Sequence, residues 1–389
     1  MSPRTRLFVA FVSTGVISYV ALGSLLGRVM GDTTYGQLSV FNEVVRIILD
    51  AYVEPVNLDR AMAGAELGLT DSLDGDSAYL DAEEFKAYQQ PVKESDADIG
   101  VVLCRRFSFL MVVTTRPDSP AAKAGLKTGD VLKTIDGRHT RPLSVHVGER
   151  LLRGSPGSIV KLKVLRAGAG NEPLDVSAVR ERLVPATVRA KVLDDGAGYL
   201  KVAEFGARAP ESIRGELEGL KKGGTRRLVL DLRGAAYGTP SEGIKVAELF
   251  VTSGLVGKVS GRRVAEQVFK ADPAKVAWDL PVATLVDTGT AGPAEIVAAA
   301  LLDAGQPVVG ERTLGRAGVQ KAVPLPEGAL LLTVAKYSAP KGTPIHGKGV
   351  EPSVAAEGPS EEPGEAPSTA DPVLDKALEV LKTPAKKAA

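Results

Sequence analysis

The sequence predicts a multidomain protein of mixed α+β and α/β class. Its expected parts are an N-terminal transmembrane helix, a small helical segment, a β-rich domain, and an α/β domain with a mostly parallel sheet. Three observations carry this. Residues 7–27 hold no charge and lie between Arg6 and Arg28, a run long enough to cross a bilayer as a helix. Short β-type runs separated by turn dipeptides fill residues 98–183. From 184 to 354, strand-like runs alternate with helical patterns, the signature of parallel strands joined by crossover helices.

Residues 1–30 form the first part. Arg4 and Arg6 precede the apolar run, and a basic flank holds that end in the cytoplasm, so the rest of the chain is exported. The length of the run favours an uncleaved signal anchor. Ala21-Leu22-Gly23 offers the competing reading, a cleaved signal peptide. The expected location is the periplasmic or extracytoplasmic side of the cell envelope, anchored in the inner (cytoplasmic) membrane or released after cleavage.

Residues 36–95 form the helical segment. Val40, Phe41, Val44, Val45, Ile47, Ile48 and Tyr52 recur at helical spacing and predict a core face, broken at Pro55 and resumed through Met62, Leu67 and Leu69. Asp71–Ser77 reads as a solvated turn, since its glycine and distal glutamate are wrongly placed for an EF-hand.

Residues 96–183 form the β-rich domain. Runs at 99–103, 109–115, 131–135, 159–165 and 173–179 predict strands, with short helices at 121–124 and 144–152. In residues 184–356 the strand-like runs are 228–232, 283–286, 308–309 and 330–335, and the helical patterns are 210–221, 241–250 and 294–302. Residues 357–389 form a flexible tail, rich in Pro, Glu, Ser and Ala at its start, with a short amphipathic helix at 372–381.

Composition narrows the function. Net charge is +1 and aromatics are few, so neither a basic field nor a base-stacking platform speaks for a nucleic-acid partner. The single cysteine, Cys104, permits no intrachain disulfide and no cysteine-built zinc site, and its apolar neighbours make it a small buried hydrophobe. No cofactor or metal is expected. His139, His146 and His346 have no evident Ser or Asp partner by sequence and read as lone exposed histidines.

Ser119-Pro120-Ala121-Ala122-Lys123-Ala124-Gly125-Leu126-Lys127-Thr128-Gly129-Asp130, continuing to Asp136-Gly137, closely resembles the central motif of PDZ domains. The resemblance implies peptide binding by strand addition at an open sheet edge. Amides around Ile99 and Gly100 would hold a terminal carboxylate. The strand through Val101, Val102 and Leu103 would pair with the peptide, and the helix at 144–152 would form the facing wall.

Leu230-Asp231-Leu232-Arg233-Gly234, Gly310-Glu311-Arg312-Thr313-Leu314-Gly315 and Leu332-Thr333-Val334-Ala335-Lys336-Tyr337 resemble the carboxyl-terminal processing, or tail-specific, proteases. Tyr52-Val53-Glu54-Pro55 and Ser72-Leu73-Asp74 extend the likeness, which follows that family's domain order over nearly the whole chain. Such proteases pair a serine nucleophile with a lysine base. The chain departs at both positions. The nucleophile's place in Gly289-Thr290-Ala291-Gly292-Pro293-Ala294-Glu295 is Gly292, and the base's place is Arg316, although Gln320 four residues on matches. A guanidinium stays protonated and cannot act as the base. The oxyanion region departs too: Pro293 has no N–H to donate, and Tyr237 precedes Gly238 where the family has two glycines. The resemblance thus implies a pseudoprotease that binds peptide or protein C-termini as an adaptor or regulator. Its partners would include an active protease or another envelope protein, with the membrane held through the N-terminal helix. The alternative is an active serine-type endopeptidase that processes C-termini.

Overall fold

The computed structural model describes residues 34–91, 97–170, 172–186, 188–358 and 370–382. The apolar run 7–27 lies outside them. Among the described residues, no helix is long and apolar enough to cross a membrane.

The chain divides into two units, up to Glu66 and from Leu67. The first holds α1 (Thr34–Ala51) and most of α2 (Leu58–Asp71). The helical periodicity is realised, but the expected core face is not. Phe41 is 38% exposed and Val40 60%, and Val44, Ile47, Ile48 and Tyr52 are exposed as well. An amphipathic stripe sets which face a helix offers; burial needs a partner surface as well.

Residues 78–89 depart from the helical segment expected around them. Ala78–Asp81 is a strand, β1, followed by α3 (Ala82–Gln89). The Asp81 carboxylate accepts from Glu84 N at 2.7 Å, and Glu84 returns the contact to Asp81 N, a reciprocal cap that fixes the helix start.

The β-rich domain is an antiparallel sheet of β2 (Val101–Arg106), β3 (Phe109–Thr115), β4 (Val131–Ile135), β6 (Ile159–Leu165) and β7 (Leu174–Val179), in that spatial order. A short β5 (Arg138–His139) pairs with β4. Two helices cover it: α4 (Pro120–Lys123) and α5 (Val145–Leu152). Ser119 and Ser144 cap them, each side chain accepting a backbone N–H at 3.2 Å, which relieves an orphan donor of the first turn. Leu103, Leu110, Leu132, Ile135 and Val160 are fully buried beneath the helices.

The α/β domain is built on six strands, ordered β19 (Val354–Ala355), β16 (Val308–Gly310), β15 (Val282–Val286), β11 (Leu228–Asp231), β9 (Gly198–Lys201) and β8 (Arg189–Val192). All neighbours are parallel except β8 and β9. Alternate residues serve opposite faces. Leu228 and Leu230 pack with α6 (Ala209–Lys222), α7 (Pro240–Ala247) and α8 (Pro293–Asp303). Val229, Ala283, Leu285 and Val309 pack under Val373 and Ala377 of α9 (Pro372–Lys382). Arg233 ties α9 down with bidentate bonds to Asp371 at 2.8 and 2.9 Å and to Asp231 at 2.8 and 3.0 Å. Against the upward push of burial, Arg233 and Lys201 hold the Asp231 pKa down at about 2.

One strand was expected in the parallel sheet and lies elsewhere. Leu330–Ala335 falls within β18 (Gly328–Ser338), part of an antiparallel sheet ordered β1-β18-β13-β14, with β17 (Gly318–Leu325) also on β18. Here β13 is Leu255–Gly261 and β14 is Val264–Lys270. Only Pro326 and Glu327 separate β17 from β18, and so short a loop permits only an antiparallel hairpin.

Candidate functional site

In open α/β sheets, ligands gather outside the carboxyl ends of the strands. Three chain segments meet there. One follows β11 and carries β12 (Tyr237–Gly238); one follows β15 and enters α8 through Gly292 and Pro293; one follows β16 and runs through Arg316 into β17.

Gly292 adopts φ 59° and ψ −117° at the mouth of α8, a left-handed conformation costly for a residue with a β-carbon. Space itself is available: a β-carbon there would lie 3.6 Å from the Arg316 carbonyl and 4.0 Å from that of Ala236. Two of these segments, the entry to α8 and the stretch after β16, are tied together by Glu295, which is fully buried on α8. Its carboxylate accepts from Gly292 N at 2.9 Å, Gly315 N at 2.6 Å, Arg316 N at 2.8 Å and the Thr313 hydroxyl. Burial pushes the Glu295 pKa up, against the pull of those four donors.

Arg316 works as a tie between segments. Its Nε donates to Asp76 at 2.9 Å and one terminal nitrogen to the Leu103 carbonyl on β2 at 2.9 Å. Gln320 donates to the Asp76 carbonyl. The turn at 71–77, expected to be solvated, is therefore a structural anchor. Asp71 pairs with the buried Arg105 at 2.8 Å. Asp74 accepts from Asp76 N at 3.0 Å and Ser77 N at 2.7 Å and faces His346 at 3.8 Å. Against the push of burial, His346 and Ser77 hold the Asp74 carboxyl well below the usual range. His346 is thus buried, not exposed as expected, and its Nδ1 has no hydrogen-bond partner among the described residues. His146 is half-buried, edge-on to Tyr88 at 4.7 Å, and only His139 is exposed. Cys104 is buried as expected.

The β-rich domain faces the same place. β2 is an edge strand of its sheet, and its Val102 and Cys104 pack on Ala291, Ala236 and Tyr237. Ile99 is fully buried, and Gly100 has φ +81°, where a β-carbon would strike Ser119 at 2.5 Å. The amides of Ile99 and Gly100 donate to the Asp98 carboxylate at 2.6 and 3.1 Å, and Arg153 pairs with it at 3.3 Å. A carboxylate thus already occupies those amides.

The two halves enclose one cavity of about 400 Å³. The β-rich domain contributes Asp98, Val101, Val102, Glu149 and Arg153; the α/β domain contributes Tyr237, Gly238, Gly292, Pro293, Arg316 and Gln320. Ile99, Gly100 and Leu103, expected in the binding site, are not among the cavity's lining residues; Leu103 is fully buried and its carbonyl accepts from Arg316. Tyr237 lies under the Arg116 guanidinium, 4.4 Å from the ring centre, and its buried hydroxyl has no partner among the described residues. Burial and the Asp98 carboxylate push its pKa far above the ordinary value. Asp76, Asp98, Glu149 and Arg153 were not singled out from the sequence. A signal for Glu149 existed: it follows Val145 by four residues and shares its helix face, whereas Arg153 ends α5 in an extended conformation.

Comparison with known proteins agrees with this architecture. Residues 196–356 match the model of peptidase family S41, and residues 111–166 match a PDZ domain. The carboxy-terminal processing protease CtpA of Bacillus subtilis is 31% identical over 369 residues, covering 92% of this chain and 78% of that protein. The carboxy-terminal-processing protease of Bartonella bacilliformis is 31% identical over 335 residues, covering 84% and 77%. The solved structure of a photosystem II D1 C-terminal processing protease superimposes with a TM-score of 0.69 at 26% identity, over 88% of this chain and 91% of that one. With a PDZ domain set before an S41 domain and relatives matched over most of their length, the chain belongs to the carboxy-terminal processing protease family.

Proposed function

We propose that this member binds peptide or protein C-termini without cleaving them, as an adaptor or regulator of an active protease or another envelope protein. The observation that carries the reading is Gly292. A peptidase of this kind needs a nucleophile and a base that can be neutral, and here the first has no side chain while the second is a guanidinium spent on Asp76 and Leu103. Val101 and Val102 of the expected binding strand and the family catalytic positions nevertheless line one cavity. The names of the relatives favour the second reading, an active serine endopeptidase, and product analysis separates the two.

Binding should show the mark of carboxylate capture. A free-acid peptide ending in short apolar residues should bind about tenfold or more tighter than its amidated form, since an uncharged end cannot displace Asp98 from the Ile99 and Gly100 amides. Titration calorimetry reads both; equal affinities would leave the PDZ domain as scaffold only.

We also place the protein on the extracytoplasmic face of the inner membrane, on the strength of the uncharged run 7–27 behind Arg4 and Arg6. Protease added to spheroplasts, but not to intact cells, should digest it. Release by alkaline carbonate of a chain with an intact N-terminus would rule out the anchor.

A further inference from the structure

We infer that the shared cavity selects peptides carrying a basic residue near the C-terminus, with Glu149 as the residue that reads it; this rests on the peptide-binding reading above. The cavity wall holds three carboxylates, Asp76, Asp98 and Glu149, against two guanidiniums, Arg153 and Arg316. Both guanidiniums are committed: Arg316 pairs with Asp76 at 2.9 Å and Arg153 with Asp98 at 3.3 Å. Glu149 is left with no hydrogen bond or ion pair among the described residues. It sits half-buried on α5, the wall that faces β2, where burial pushes its pKa up against the pull of the Arg316 and Arg153 charges. A carboxylate in that state gains most from an incoming cation.

A second group points to a peptide, whatever its side chains. Tyr237 lines the cavity, and its buried hydroxyl lacks a partner among the described residues. A buried hydroxyl without an acceptor is costly, and a peptide carbonyl would supply one. A Lys or Arg residue brings both parts, a cation for Glu149 and a backbone carbonyl for Tyr237. An acidic residue would instead add a fourth carboxylate to the wall.

The test uses the full chain and free-acid peptides identical except for Lys, norleucine or Glu at each of the last four positions in turn, read by fluorescence anisotropy. At one position Lys should bind about tenfold tighter than norleucine, and Glu weaker than either. Glu149→Gln should bring the Lys and norleucine affinities together, and Glu149→Lys should reverse the order of Lys and Glu. If norleucine peptides bind and no position prefers Lys, or if the preference survives Glu149→Gln, the charge selection is wrong and peptide binding stands. If no peptide of the set binds, the peptide-binding reading fails and this inference with it.

Discussion

Purified protein is expected to leave an unstructured polypeptide intact and to stay unlabelled by fluorophosphonate probes. Restoring both lost groups, with Gly292→Ser and Arg316→Lys together, is expected to leave turnover at least about 10²–10³-fold below that of a competent family protease assayed beside it. Room for the serine is not the obstacle, as the distances around Gly292 show. Three other features are. The serine would inherit a backbone at φ 59°, strained for any residue with a β-carbon. Pro293 still offers no N–H to a developing oxyanion. A lysine at position 316 would sit beside Asp76 and near Glu149, and neighbouring carboxylates keep an ammonium protonated when a base must be neutral. Mass spectrometry of the products decides it. Turnover within tenfold of the comparison enzyme would show that the oxyanion defects matter little.

The largest stability effect is expected at Glu295. Glu295→Ala removes the acceptor for three backbone amides and the Thr313 hydroxyl in a fully buried place. Buried donors left unpaired cost about 1–3 kcal/mol each before relaxation. Because water and local rearrangement recover part of that, about 3–5 kcal/mol is expected overall. Glu295→Gln, which keeps one acceptor oxygen, should cost less. Urea unfolding of the three proteins measures both. A cost below about 1 kcal/mol for Glu295→Ala would mean that the loops around Gly292 and Arg316 hold themselves without this hub.

Much of the architecture could be read from residues because it rests on local signals. Strands 109–115, 131–135 and 159–165 came out at their observed bounds, since turn dipeptides delimit them and β-branched residues fill them. The site was legible where a motif spelled it: Gly292, Pro293, Arg316, Gln320 and Tyr237 converge on one cavity. What escaped was contact between distant segments. Nothing local marks Asp76 as the partner of Arg316, or Asp74 as the neighbour of His346, because each pair spans most of the chain. β1 was missed for the same reason, a four-residue strand whose only reason to be a strand is β18. The core face expected on α1 shows the converse limit: spacing gives a helix its stripe without saying what covers it.

The pairing of β1 with β18 sets an order on assembly. Ala78 lies opposite Leu331, so the two strands meet only after a loop of about 250 residues closes, the kind of distant contact that slows folding. The domain in between lightens that task. Its two ends are joined where Asp98 bridges Glu181. Once that domain has folded, about 80 residues no longer count toward the chain that must be drawn in. It therefore serves as a foreshortening spacer while the polypeptide condenses. A variant that leaves this domain slow to fold would delay the union of β1 and β18, and with it the seating of Asp76 against Arg316, even if no residue of the cavity were touched.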